Sequence, residues 1–467
     1  MVFASLTFLF AFLPLVLIGY FLFQTIRARN AVLVAASLLF YAWGEPIWVI
    51  LLVFSAVVDY LCARFIERFR GRPIARAGLI ASLVINLSLL AGFKYAGFFA
   101  EVLNTLLGTT IPMPQIALPI GISFYTFQTI SYTVDVYRGH VTAQRSFLNF
   151  LLFVSLFPQL VAGPIVRYAD IAAEIDARVS RWDDVSWGID RFCSGLFKKV
   201  VFANTAGALV ATFLERDLGS LGWIEAWFGL LMFTLQIYYD FSGYSDMAIG
   251  MGRMFGFRFL ENFNYPYVAT SIRDFWRRWH ISLGSFFRDY VYIPLGGSRT
   301  HLMRNTAVVW ALTGLWHGAS WNFVLWGCYF GVLLLGERFV WGGVIQRLPL
   351  VLRHGYAMML IVVGWALFYF TSAAQLLQFL RLAFSVPDSL TMSVELRGVL
   401  QSHVVWLSAA ILFCVPLAPF LRERANRWIG NAGVLGTIGV VRNTIALAVA
   451  TALLVADSYN PFLYFRF

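Results

Sequence analysis

Charge is scarce in this chain. Lysine, arginine, aspartate and glutamate together make up 13% of its 467 residues, while 60% are hydrophobic, and its mean hydropathy is +0.73. Soluble domains carry about twice that share of charge, so a soluble enzyme and a solvated disordered chain are both excluded. Cysteine is sparse as well: Cys62, Cys193, Cys328 and Cys414 stand far apart. With no CxxC spacing and no His-Cys cluster, a disulfide framework, an iron-sulfur centre and a structural zinc site drop out, and no metal is expected. Also missing are a GxxxxGK[ST] phosphate loop, a GxSxG nucleophile elbow and an HExxH zinc helix, which removes P-loop nucleotide hydrolysis and metalloprotease chemistry. The first apolar run, MVFASLTFLFAFLPLVLIGYFLF, lacks a basic start and a small-residue cleavage pattern. It is expected to stay in place as a first spanning helix.

What the chain has in abundance is apolar runs that reach or approach the roughly 20 residues needed to cross a bilayer. They predict an all-α polytopic membrane protein built as a single membrane domain over 1–467, without internal repeats. The net charge of +11 sits in loops between those runs, so it orients the chain rather than binding nucleic acid. Arg27 and Arg29, the cluster Arg64, Arg68, Arg70, Arg72 and Arg76, then Arg138 and Arg145, Arg338, Arg347 and Arg353, and finally Arg422, Arg424, Arg427 and Arg442 all fall on one side if the runs between them cross. By the positive-inside rule that side is the cytoplasm, which puts both termini outside. Pro112 and Pro114 are expected to break the helix on the outer side. Between 147 and 214 the short apolar run 147–162, which ends in Gly163-Pro164, is expected to be re-entrant, and the charged amphipathic region 167–199 to lie along the cytoplasmic face.

Polar residues inside the apolar runs mark where function is to be sought. Thr306–Gly331 contains no acid and no lysine or arginine, yet His317 stands in its middle between Gly314, Trp316, Gly318, Trp321 and Asn322. Ionisable groups at membrane depth are costly and line interiors or cavities. Two readings of His317 remain at this point, a packing histidine bonded to a neighbouring helix or a reactive group. Two short helices hinged near Gly318 would leave it at a turning point. Tyr238–Gly250, YYDFSGYSDMAIG, mixes Asp240, Tyr244 and Asp246 with small residues, as expected for a helix broken at depth or for a polar turn at the surface. Ser271–Tyr290 carries apolar residues on one helical face and Arg273, Arg277, His280 and Arg288 on the other, which predicts an interfacial amphipathic helix. His280 would share the arginine face, whose charge favours its neutral form. The turn Pro294–Arg299 offers free backbone donors and Arg299, a weak phosphate-site pattern that a plain turn explains equally. A buried imidazole can take a proton from a hydroxyl as it attacks an activated acyl group, worth roughly a hundred- to ten-thousandfold. Histidine and aspartate along a membrane path equally suit a proton-coupled transporter.

Six stretches together resemble one known family: LPIGISFYTFQTISYTVDVYRG (118–139), FPQLVAGPIVR (157–167), YYDFSGYSDMAIGMGRMFGFRFLENFNYPY (238–267), FWRRWHISLGSFFRDYVYIPLGG (275–297), LTGLWHGASWNFVLWG (312–327) and the terminal FLYF (462–465). The chain is similar over essentially its whole length to the membrane-bound O-acyltransferases, in the bacterial branch typified by the alginate O-acetyltransferase membrane subunit, with a motif-bearing core at 115–420. The resemblance implies about 11 transmembrane helices with re-entrant and interfacial segments around a central funnel. It places the family's catalytic histidine at His317 and the WRRWH histidine at His280, with Arg277, Arg278 and Arg299 as weak candidates for donor binding. It further implies a bacterial inner membrane location in contact with membrane lipid and a cytoplasmic thioester donor, acetyl-CoA, bound only in passing. The acceptor would be a polysaccharide reached through an extracytoplasmic SGNH-type partner protein, with peptidoglycan or another envelope glycan as the alternative acceptor. Asp240, Tyr244 and Asp246 are secondary candidates for shaping the cavity or holding a histidine tautomer. One departure stands out: where relatives read GWVFFRA, this chain has GWALFYF (364–370), without the arginine.

Overall fold

The computed structural model describes residues 1–112, 117–161, 163–385, 391–456 and 463, and among these the regular structure is helical, without a strand. Pro114 and all of the tail beyond 456 except Leu463 lie outside the described residues. Among the described residues five helices are long and apolar enough to cross a membrane: Val49–Arg68, Ala75–Leu107, Trp182–Leu214, Leu350–Tyr369 and Gly433–Ala456. The pair Val394–Leu412 and Leu417–Ile429, bent by 76°, makes a sixth if counted as one span. The N-terminal run forms a shorter apolar helix, Phe8–Leu22.

The helices gather into two compact units, Met1–Phe192 with Tyr244–Glu261, and Cys193–Gly243 with Asn262–Phe467. In the first unit the helices Val49–Arg68, Ala75–Leu90 and Ile122–Arg138 are pinned by a polar knot. The fully buried Asp59 carboxylate accepts from Asn86 Nδ2 at 2.9 Å on both oxygens and from Ser82 Oγ at 2.5 Å. Ser82 lies 3.0 Å from Thr133 Oγ1, and Ser55 donates to Asn86 Oδ1 at 2.9 Å. Between apolar helices in lipid there is no gain from merely burying hydrocarbon, so hydrogen bonds of this kind carry specificity. Asn86→Leu removes two donors from the carboxylate and leaves Ser55 unmatched. A loss of about 1–3 kcal/mol is expected, read as a lower melting temperature of purified protein in detergent; an unchanged melting temperature would contradict it.

Two sequence expectations are corrected here. The Tyr238–Gly250 stretch is not broken, because Trp223–Met254 is one continuous helix of 32 residues. Its acids find side-chain partners, so the backbone need not open to satisfy them: Asp240 pairs with Lys199 Nζ at 2.6 Å, and Asp246 with Arg191 at 2.7 Å. Nor does the charged stretch ending at Lys199 stop as a surface segment. It continues through a π-helical turn, Lys198–Ala203, into the long apolar helix that ends at Leu214.

Candidate active site

In the second unit, the helices Leu302–His317 and Trp321–Phe339 form an antiparallel hairpin. They approach closely because Gly314 and Gly327 face each other: a Cβ on Gly314 would stand 3.4 Å from the Gly327 Cα and run into the Phe323 carbonyl, and one on Gly327 would run into the Trp310 carbonyl. The chain turns at Gly318, in extended conformation, and this break leaves His317 as the last residue of its helix, as the sequence predicted. A helix C-terminus favours a positive charge by roughly 0.3–1 kcal/mol. The His317 ring, only 8% exposed, is held edge-on by Trp316, Trp326 and Phe368 at centroid distances of 5.0, 4.9 and 5.3 Å.

His280 is placed by a different device from the one expected. The predicted single amphipathic helix is two short ones, Ile272–Arg278 and Ile281–Phe287, and His280 lies between them at φ 45°. That left-handed conformation is uncommon for a residue with a side chain and costs on the order of 1–3 kcal/mol unless its surroundings enforce it. They do: the Ser271 hydroxyl and the Glu337 carboxylate cap the first helix through the backbone N–H of Asp274, Ile272 and Arg273. On the far side Asn262 holds the second, its carbonyl accepting from Ile281 N at 3.0 Å. The turn rotates His280 away from the arginines into the interior, where it is 2% exposed. Its neutrality therefore comes from burial, which lowers the imidazole to about 3, rather than from arginine charge.

The hydrogen bonds around Asn262 also fix the tautomer. Asn262 Oδ1 accepts from the Ser282 backbone N–H at 3.2 Å and from the Ser282 hydroxyl at 2.9 Å. A backbone N–H can only donate, so this atom is the amide oxygen, and His280 Nδ1, 3.2 Å from it, must carry the proton. His280 Nε2 is then a bare lone pair, buried and without a hydrogen-bond partner among the described residues. This tautomer presents an acceptor, and not a donor, at Nε2.

Both histidines line one cavity of about 190 Å³, together with Trp276, Trp310, Thr313, Arg288 and Tyr292. Trp316 bridges them, its ring 5.7 Å from His280 and 5.0 Å from His317. Trp276 contributes an indole N–H that is also buried and unpartnered among the described residues, a hydrogen-bond donor in the same space as the Nε2 acceptor. The cavity is below the roughly 300–1,000 Å³ of pockets for drug-sized ligands. Sequence reasoning named Arg288 only as part of the basic face it shares with His280, and missed Trp276 and Tyr292. The arginines it named for the donor stand outside: Arg278 is bound to Asp274 at 2.9 Å, and Arg277 and Arg299 are exposed. Asp240 is held by Lys199 and by the Leu463 backbone N–H at 2.7 Å. Asp246 and Tyr244 belong to the first unit, with the Tyr244 ring stacked on Phe3 at 4.5 Å. The histidine tautomer is thus held by an asparagine and not by either acid. Tyr369 occupies the place of the missing arginine, with its ring against Phe233 at 4.8 Å.

Comparison with known proteins gives this arrangement its context. Residues 90–377 match the family described as MBOAT, membrane-bound O-acyltransferase family. The chain is 37% identical to the probable alginate O-acetylase AlgI of Azotobacter vinelandii across 100% of both chains. To the probable alginate O-acetylase AlgI of Pseudomonas aeruginosa it is 42% identical, over 79% of this chain and 72% of that one. It is 39% identical to the peptidoglycan O-acetyltransferase of Helicobacter pylori, over 71% of this chain and 69% of that one. With more than half its length matched, and a relative alike from end to end, the chain belongs to the membrane-bound O-acyltransferase family and is a multi-pass membrane O-acyltransferase.

Proposed function

We propose that the enzyme takes an acetyl group from cytoplasmic acetyl-CoA at the two-histidine cavity and passes it outward for O-acetylation of an exopolysaccharide such as alginate. An extracytoplasmic SGNH-type protein would complete the relay. The observation that carries this reading is the shared cavity, small, aromatic-walled and equipped with one unpartnered acceptor and one unpartnered donor. In the proposed step His317 takes the proton of an acceptor hydroxyl as its oxygen bonds to the thioester carbonyl carbon. The carbon–sulfur bond breaks, and the proton passes to the departing thiolate of CoA. His280 Nε2 accepts a hydrogen bond from the incoming nucleophile or the donor's amide, and the Trp276 N–H is placed to meet the carbonyl oxygen as charge develops there. The inner membrane is the proposed location, with both termini outside and the basic loops facing the donor's phosphates.

Release of free CoA from acetyl-CoA by purified protein in nanodiscs, with and without the partner, tests this. Partner-stimulated release is expected, and its absence under all conditions would overturn the donor assignment. The Helicobacter relative supports a second acceptor, peptidoglycan or another envelope glycan, which the same assay decides when each glycan is offered in turn.

The role of Asn262 gives a sharper prediction. Asn262→Leu frees His280 to adopt either tautomer and is expected to lower kcat about ten- to a hundredfold, as for loss of partners that orient a reactive imidazole. Asn262→Asp keeps the acceptor but adds a negative charge, which raises the imidazole from about 3 and stabilises its protonated form. Wild type should then show no loss of activity from His280 between pH 8 and 5, whereas the aspartate variant should lose activity as pH falls across that range. Identical pH profiles would contradict the assignment.

A further inference from the structure

The two-histidine cavity has an inner end and an outer one. His280, Trp279 and His317 on its walls are buried, whereas Arg288, which lines the same cavity, has a side chain 61% exposed. Gly284 lines it too and is exposed. Gly284, Arg288 and Tyr292 recur at every fourth residue. They therefore form one strip along the helix Ile281–Phe287 and the π-helical turn Arg288–Tyr292 that continues it. Single π-turns of this kind are frequent at functional sites.

Charge is distributed along the cavity in the same sense. Among the described residues that line it, Arg288 is the one with a permanent charge, and it stands at the exposed end. Asp289 holds it from the side: Arg288 Nε donates to Oδ1 at 2.6 Å and Nη2 to Oδ2 at 2.9 Å. That pair uses the Nε edge of a planar fork that carries five N–H donors. The carboxylate offsets part of the charge, and in return it fixes the direction in which the Nη1 end of the guanidinium points. Beside it the wall lacks a side chain. A Cβ added at Gly284 would meet nothing within 4 Å among the described residues.

We propose that the strip Gly284–Arg288–Tyr292 is the entrance by which the acyl donor's thioester arm reaches the histidines. Gly284 supplies the gap, and Arg288 is the specificity-determining cation that meets a donor phosphate just outside it. The proposal rests on the acetyl-CoA reading above. A CoA thioester has the polarity of this site, with an uncharged, unbranched arm that carries the acyl group and phosphates at the other end. Arginine suits that end because its fork matches phosphate oxygens.

The test is the KM for acetyl-CoA and for acetylpantetheine, which has the same arm and no phosphate, measured by thiol release in nanodiscs of neutral lipid. Arg288→Gln should raise the KM for acetyl-CoA about three- to tenfold, the scale of an ion pair at a partly exposed site. Its kcat, and its KM for acetylpantetheine, should stay near wild type. Arg288→Lys, which keeps the charge and loses the fork, should recover part of the difference. Added salt should raise the wild-type KM for acetyl-CoA and leave that of Arg288→Gln nearly unchanged. Gly284→Leu narrows the gap and should raise the KM for both donors roughly tenfold. Its melting temperature should be at or above wild type, because leucine is the better helix former.

Equal KM shifts for the two donors in Arg288→Gln would mean that the arginine holds the arm or the fold, and would overturn the phosphate contact, as would no shift. Wild-type KM values in Gly284→Leu would overturn the entrance. These results, with acetyl-CoA turned over by wild type, sink this proposal alone; no release by wild type sinks the donor reading and this proposal with it. Should Arg288→Gln fail to fold, Arg288→Lys and Gly284→Leu decide.

Discussion

His317→Ala should cut acetyl-dependent CoA release about a hundred- to ten-thousandfold, with the protein still inserted in the membrane. The imidazole stands at a helix end, inside an aromatic cage, on the wall of the cavity that His280 also lines. Because the same ring also packs against Trp326 and Phe368, its removal alone could weaken the fold. His317→Phe separates the two effects: it keeps an edge-on ring in the cage and removes the base. Both variants should be inactive, and the phenylalanine variant should melt close to wild type. An active His317→Phe enzyme would show that His317 is a packing histidine, the reading that position in the sequence left open.

Gly314→Leu should prevent the candidate site from assembling at all. A side chain there meets the Phe323 carbonyl, which is backbone and cannot rotate away, and the opposed Gly327 leaves no compensating space. Forcing bulk into a packed interface costs about 1–3 kcal/mol when side chains can adjust, and more is expected where the obstacle is backbone. The hairpin that holds His317 opposite the cavity's other wall would open. Size-exclusion chromatography of the detergent-solubilised protein should show aggregation or loss of yield, whereas Gly355→Ala, at a position with nothing within 4 Å of an added Cβ, should behave as wild type. A monodisperse Gly314→Leu protein with normal activity would contradict the close-approach account.

Much of this was legible in the sequence because apolar runs and isolated polar residues are strong local signals. The helical membrane class followed from composition, and the hairpin at Gly318 from a glycine beside a histidine in an uncharged stretch. What was not legible depends on pairing between distant residues. The stretch 238–250 looked broken because its acids had no visible partners; Lys199, Arg191 and the backbone of Leu463 lie tens to hundreds of residues away. The turn at His280 was hidden because Ile272, Phe275, Trp279, Leu283 and Phe286 keep helical spacing on either side of it. Nothing local reports that Asn262 will hold the chain in a left-handed conformation there. Arg442 was assigned to a loop because arginine inside a span is rare, yet it lies within the helix Ala432–Ala456.

The central claim is that acyl transfer takes place in the cavity lined by His280 and His317. Bromoacetyl-CoA, which carries an electrophilic carbon at the position of the acetyl methyl, tests it directly by peptide mass spectrometry of the labelled full chain. The account predicts alkylation at His280, whose Nε2 is the unpartnered nucleophile in that space, or at His317, with protection by acetyl-CoA and concurrent loss of activity. Inactivation with the label on residues outside the cavity, and with both histidines unmodified, would contradict it.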